Sequence, residues 1–60
     1  MNFKLDSEIL WLGDSETYPA IGTIVKIHTS TVHVVWGDEG GYVNVIPKSH
    51  SIWSNCELIA

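Results

Sequence analysis

Apolar and polar positions alternate most regularly through the middle of the chain. Three stretches stand out: Gly22-Thr23-Ile24-Val25-Lys26-Ile27-His28, Thr31-Val32-His33-Val34-Val35-Trp36 and Tyr42-Val43-Asn44-Val45-Ile46. They are rich in Val, Ile and Thr, which suit a pleated, half-buried surface, and each predicts a strand. Thr29-Ser30 is a short polar connection between the first two. Between the second and third, the glycines of Gly37-Asp38-Glu39-Gly40-Gly41 can supply the positive φ angles of a hairpin turn. With Thr29-Ser30 as the loop, Ile27 faces Val32 and Val25 faces Val34. That register puts Val25, Ile27, Val32, Val34 and Trp36 on one face, with Lys26 and His33 on the other. Val43 and Val45 are expected to continue the apolar face, giving a three-stranded meander.

The flanking segments are less regular. Glu8-Ile9-Leu10-Trp11-Leu12 predicts a strand ended by the polar loop Gly13-Asp14-Ser15-Glu16-Thr17, and Tyr18-Pro19-Ala20 leads into the meander. Pro47-Lys48-Ser49-His50-Ser51-Ile52 reads as one tight 3₁₀ turn that Trp53-Ser54 could extend, since Pro suits a first helical position. Cys56-Glu57-Leu58-Ile59 predicts a short last strand. No persuasive 3.6-residue period, internal repeat or linker interrupts the series. Five short strands are too few for an ordinary sandwich. They suffice for a small, strongly bent sheet that closes on itself and so hides its edges. The expectation is one all-β domain over residues 1–60, core about 8–59: a five-stranded SH3-like barrel with a 3₁₀ turn before the last strand.

Composition narrows the function. A 60-residue chain buries only about 60% of its unfolded surface on folding, so the core is thin. Such a domain needs a staple, an economical fold or a partner. The lone Cys56 excludes an internal disulfide, and a fraction of 45% hydrophobic residues excludes disorder. Apolar runs reach only four residues, as in Ile9 to Leu12, too short to span a membrane, and the first residues lack a signal-peptide pattern. A cytoplasmic protein is expected. Three lysines, no arginine and seven carboxylates give a net charge of −4, the wrong sign for a generic nucleic-acid binder.

The residues resemble the Tudor and KOW branches of the SH3-like barrels. The Tudor-like part runs from Trp11 through the acidic loop to Tyr18-Pro19-Ala20, then Ile24-Val25-Lys26-Ile27 and Val32-His33-Val34-Val35-Trp36-Gly37; the KOW-like part is Gly22-Thr23-Ile24-Val25-Lys26-Ile27. Together they cover roughly residues 8 to 59. The resemblance implies an open aromatic cage from Trp11, Tyr18, Trp36 and Tyr42, in which ring faces attract a cation. The carboxylates Asp14, Glu16, Asp38 and Glu39 favour a positive ligand. The turn after Trp36 lacks an aromatic until Tyr42, a departure that points away from a methylated ligand and toward an aromatic groove for a protein partner. Trp36, on the apolar face, also has the plainer role of core. Trp53 either flanks a ligand groove or caps the barrel end.

The remaining chemistry is sparse. His28, His33, His50 and Cys56 are the soft metal ligands, but they have no zinc-site spacing. On the expected hairpin His28 and His33 do not face each other, and Lys26 lies opposite His33. Cys56 with His50 lacks an orienting partner, and Gly40-Gly41 precedes a strand rather than a helix, so neither a thiol catalyst nor a phosphate loop is expected. No metal, cofactor or enzyme activity is expected. The sequence thus predicts a small interaction module, an adaptor or inhibitor, that holds a basic protein surface or peptide through Trp11, Tyr18, Trp36, Tyr42, Trp53 and the acidic loops. The alternative is a KOW-like protein acting on nucleic acid or on the transcription or translation machinery, although Lys4, Lys26 and Lys48 form no basic stripe. Self-association through apolar surface such as Trp53 and Leu58 is a third possibility.

Overall fold

A computed structural model describes residues 2–37 and 42–59. It contains five strands: β1 (Glu8–Trp11), β2 (Ala20–Ile27), β3 (Thr31–Trp36), β4 (Val43–Pro47) and β5 (Cys56–Leu58). A 3₁₀ turn, Ser51–Asn55, precedes β5, and no α-helix occurs among the described residues. The strands form one antiparallel sheet in the order β4-β3-β2-β1-β5. The outermost strands, β4 and β5, are not paired with each other, so the sheet is open at that seam. No helix among the described residues is long and apolar enough to cross a membrane.

The core gathers Ile9 of β1, Ile24 of β2, Val32, Val34 and Trp36 of β3, and Trp53 of the 3₁₀ turn. Phe3, Trp11, Ala20, Ile27, Ile46, Ile52 and Cys56 pack around it. Strand alternation explains β3 directly: Val32, Val34 and Trp36 point inward and are buried, while Thr31, His33 and Val35 between them are partly covered.

Two expected facings differ. Ile27 lies opposite Val32 and Lys26 opposite His33, as the two-residue connection requires, but Val34 is met by Ile24 rather than Val25. A bulge between Ile24 and Lys26 inserts one residue into β2, which reverses the parity beyond it. Val25 is therefore exposed and Ile24 takes its place in the core. Val43 and Val45 also fail to join the apolar face. The register pairs them with Val35 and His33 on the outer face, and sets Asn44 and Ile46 beside Val34 and Val32. Both valines are exposed.

The 3₁₀ turn begins later than expected. Pro47 ends β4, where its missing N–H is harmless at an edge position. His50 caps the turn, its Nδ1 accepting the Ile52 N–H at 3.0 Å. The N-terminal segment, for which the sequence predicts no element, is held by β2: Asp6 N–H donates to the Ile24 carbonyl at 2.8 Å, and Ile24 N–H to the Ser7 carbonyl at 2.9 Å. Asp6 sits at φ 65° to make the turn into β1.

A candidate aromatic groove beside an acidic loop

Two small residues on β2 create the site. Ala20 lies opposite Trp11 of β1, and Gly22 lies opposite Trp36 of β3. All four face the same side of the sheet, so β2 forms a low floor with an indole rising on each side. Gly22 must be small: a Cβ there would stand 2.7 Å from both Trp36 Cε3 and Val34 Cγ1. Thr17 and Tyr18 of the β1–β2 loop and Ile52 of the 3₁₀ turn complete a mostly apolar groove of about 230 Å³, lined by Trp11, Thr17, Tyr18, Ala20, Trp36 and Ile52.

The loop that brings Tyr18 to the groove is built by side-chain and backbone bonds. Gly13 adopts φ 79°, the left-handed region that favours glycine, and a Cβ there would lie 2.5 Å from the Thr17 carbonyl oxygen. Asp14 Oδ1 accepts the N–H groups of Glu16 at 2.8 Å and Thr17 at 2.7 Å, while Asp14 N–H donates to the Thr17 carbonyl at 3.1 Å. Those donors, Glu16 first, hold the Asp14 carboxyl below its ordinary value of 3.8, so it is charged at neutral pH. Asn55 anchors the loop base to the 3₁₀ turn: its Nδ2 donates to the Gly13 carbonyl at 2.7 Å, and its own carbonyl accepts the Leu12 N–H at 2.9 Å.

A second depression, about 260 Å³, is lined by Asp14, Ser15, Glu16, Thr17, Tyr18 and Pro19. Thr17 and Tyr18 line both, so the acidic pocket and the apolar groove adjoin along one ridge. Tyr18 stands almost free, 91% exposed.

Of the residues picked out in the sequence, the structure thus brings Trp11, Tyr18 and Trp36 together and puts Asp14 and Glu16 beside them. Trp36 serves both roles, since it is only 8% exposed yet forms a wall of the groove. Tyr42, an exposed residue before β4, does not line the groove. Trp53 is buried: its Nε1–H donates to the Pro47 carbonyl at 2.7 Å, and the Phe3 ring meets it edge-on at 4.8 Å between centroids. It caps the core, so it supplies no surface for a second copy. Asp38 and Glu39, with Gly40 and Gly41, lie outside the described residues.

Thr17, Ala20 and Ile52 also line the groove, though none was among the expected site residues. Ala20 carried a readable signal, because Ala20 and Gly22 share strand parity and each lies opposite a tryptophan, Trp11 and Trp36. Ile52 carried none, since its place depends on where the 3₁₀ turn folds back. His28 and His33 are not cross-strand partners, since Lys26 lies opposite His33 as expected, but their rings approach to 4.9 Å between centroids. Among the described residues, no group of three or more His, Cys, Asp or Glu is placed to hold a metal ion. Cys56, partly covered on β5, has its thiol pushed above the ordinary value of 9.0 by burial, which leaves it a poor nucleophile.

Comparison of the chain with protein-family models, curated proteins and solved structures finds no match.

Proposed function

We propose that the chain is a non-enzymatic interaction module of the SH3-like type that binds a basic segment of a protein partner, acting as a small adaptor or inhibitor. The strand order β4-β3-β2-β1-β5 with a 3₁₀ turn before β5 suits such a barrel. The observation that carries the function is the shared ridge. An apolar groove walled by Trp11, Tyr18 and Trp36 adjoins a pocket bearing Asp14 and Glu16, so one extended ligand can place an apolar side chain in the first and a cation beside the second. Aromatic walls supply contact area with little entropy to lose, and the carboxylates speed and select the approach of a positive partner.

An array of peptides that combine Lys or Arg with neighbouring apolar residues tests this, probed with the labelled protein and with its Tyr18→Ala and Asp14→Asn variants. Tyr18→Ala should weaken binding by roughly 10- to 30-fold, the size of an aromatic anchor. Its thermal midpoint should scarcely move, because so exposed a ring supports little. Asp14→Asn should weaken binding to lysine-bearing peptides and reduce its salt dependence. Undiminished binding by Tyr18→Ala would refute the groove. Tight binding to mixed oligonucleotides, falling log-linearly with salt, would transfer the function to nucleic acid.

A further inference from the structure

The outer edge of β4 presents unpaired backbone groups. Pro47 has no N–H, and its carbonyl accepts the His50 N–H at 3.0 Å and the Trp53 Nε1–H at 2.7 Å, away from β3. Lys48 N–H donates to the Ser30 carbonyl at 2.9 Å. Antiparallel pairs alternate between bonded and non-bonded. With Pro47↔Thr31 necessarily non-bonded, Ile46 and Asn44 exchange bonds with Val32 and Val34, while Val45 and Val43 turn their N–H and C=O groups outward. No other strand pairs with that edge among the described residues. The valine side chains are 56% and 50% exposed and lie beside Val35 on the outer face.

We infer that β4 pairs antiparallel with β4 of a second copy, about a two-fold axis at Asn44. In that register Val43 of one copy exchanges both backbone bonds with Val45 of the other, and the reverse, so four bonds close the joint and four valines form one apolar strip. The interface is self-complementary, as a two-fold contact requires. Of the two free edge strands, β4 is the one without a charged side chain, since β5 carries Glu57 and Asp38 and Glu39 precede β4 in the sequence rather than lie on it. The chain carries −4, yet residues 42–47 have no charged side chain. The described carboxylates Asp6, Glu8, Asp14, Glu16 and Glu57 belong to the N-terminal segment, β1, the β1–β2 loop and β5, across the sheet from β4. Natural edges are commonly blunted by charges or bulges along their length; here Pro47 and Lys48 stop the strand only at its end. The contact is short, well under the ~1,200 Å² of a tight complex, so a weak dimer is expected.

Sedimentation and amide hydrogen exchange of the full chain at about 10 μM and about 1 mM test it, bracketing a weak dissociation constant. The mass should approach that of a dimer at the higher concentration. The Val43 and Val45 amides alone on β4 should slow there by at least about tenfold. Val45→Lys, a change at an exposed position, should remain monomeric, while Val25→Lys on β2 and Tyr18→Ala should dimerise like the unmodified chain; Tyr18→Ala thereby separates this contact from the groove. A monomer at both concentrations, or a dimer whose Val43 and Val45 amides exchange at the monomer rate, overturns the inference. So does a monomer whose edge instead takes up an added extended peptide. The exchange readout needs no variant, so it decides the matter even if Val45→Lys fails to fold.

Discussion

Gly22 determines where Trp36 lies, and through it the depth of the groove. The indole rests against the bare backbone of β2, and no side chain fits between them: an added methyl would stand 2.7 Å from Trp36 Cε3 and from Val34 Cγ1, the latter fully buried. Trp36 is the freer of the two neighbours, since its other face borders the groove. Gly22→Ala should therefore push the ring outward and partly fill the groove. The cost should be about 1–3 kcal/mol, the usual range for overpacking, despite the gain in strand propensity that alanine brings over glycine. Urea unfolding measures the loss, and the shift of the Trp36 indole N–H resonance reports the displacement. A variant as stable as the original, with that resonance unmoved, would show that the close approach is not what sets the ring.

At the scale of elements, the β1–β2 loop depends on one carboxylate. Asp14 accepts two backbone N–H groups, and its folded pKa lies below its ordinary 3.8. A depressed carboxylate contributes order that is fully present above its unfolded pKa and lost as pH falls through the folded value. The Glu16 and Thr17 amide resonances should therefore move together on acidification from about pH 5 to about pH 2, and the Tyr18 ring with them. Asp14→Asn keeps an acceptor oxygen but cannot titrate, so those amides should lose most of that movement. The loop was legible in the sequence as polar and acidic, yet its internal bonds were not, because they depend on Gly13 taking a left-handed turn. The strands were legible too, from alternation between Gly22 and Ile46. What alternation cannot count is an inserted residue. The bulge between Ile24 and Lys26 exchanged Val25 for Ile24 in the core. The β3–β4 register likewise depends on a turn whose length in paired residues is not written in its composition, so Val43 and Val45 faced outward against expectation.

For the whole molecule, the difficulty is that 60 residues bury too little. Among the described residues the largest fully buried side chains are only Ile9, Ile24, Val32 and Val34. The N-terminal segment adds to them. Bonds from Asp6 and Ser7 to Ile24 hold it along β2, and Phe3 closes over Trp53, whose indole is already fixed to Pro47. No period in the first seven residues announces this, because one aromatic on an irregular segment leaves no pattern. The same Trp53 sits on the turn that supplies Ile52 and Asn55 to the groove and its loop, so loosening the cap should be felt at the site. Phe3 is half-buried, and Phe3→Ala should cost about 2 kcal/mol, less than a fully buried phenylalanine. In a domain whose total stability is of order 3–9 kcal/mol, that should lower the thermal midpoint by roughly 8–16 °C. Near-ultraviolet circular dichroism follows the transition through the packed indoles. If the midpoint falls by less than about 2 °C, the N-terminal segment is a passenger and β1 to β5 hold the fold alone. If it falls as expected, and the Asn55 side-chain amide resonances shift in the same variant at low temperature, then the cap that completes a thin core also holds the groove in shape.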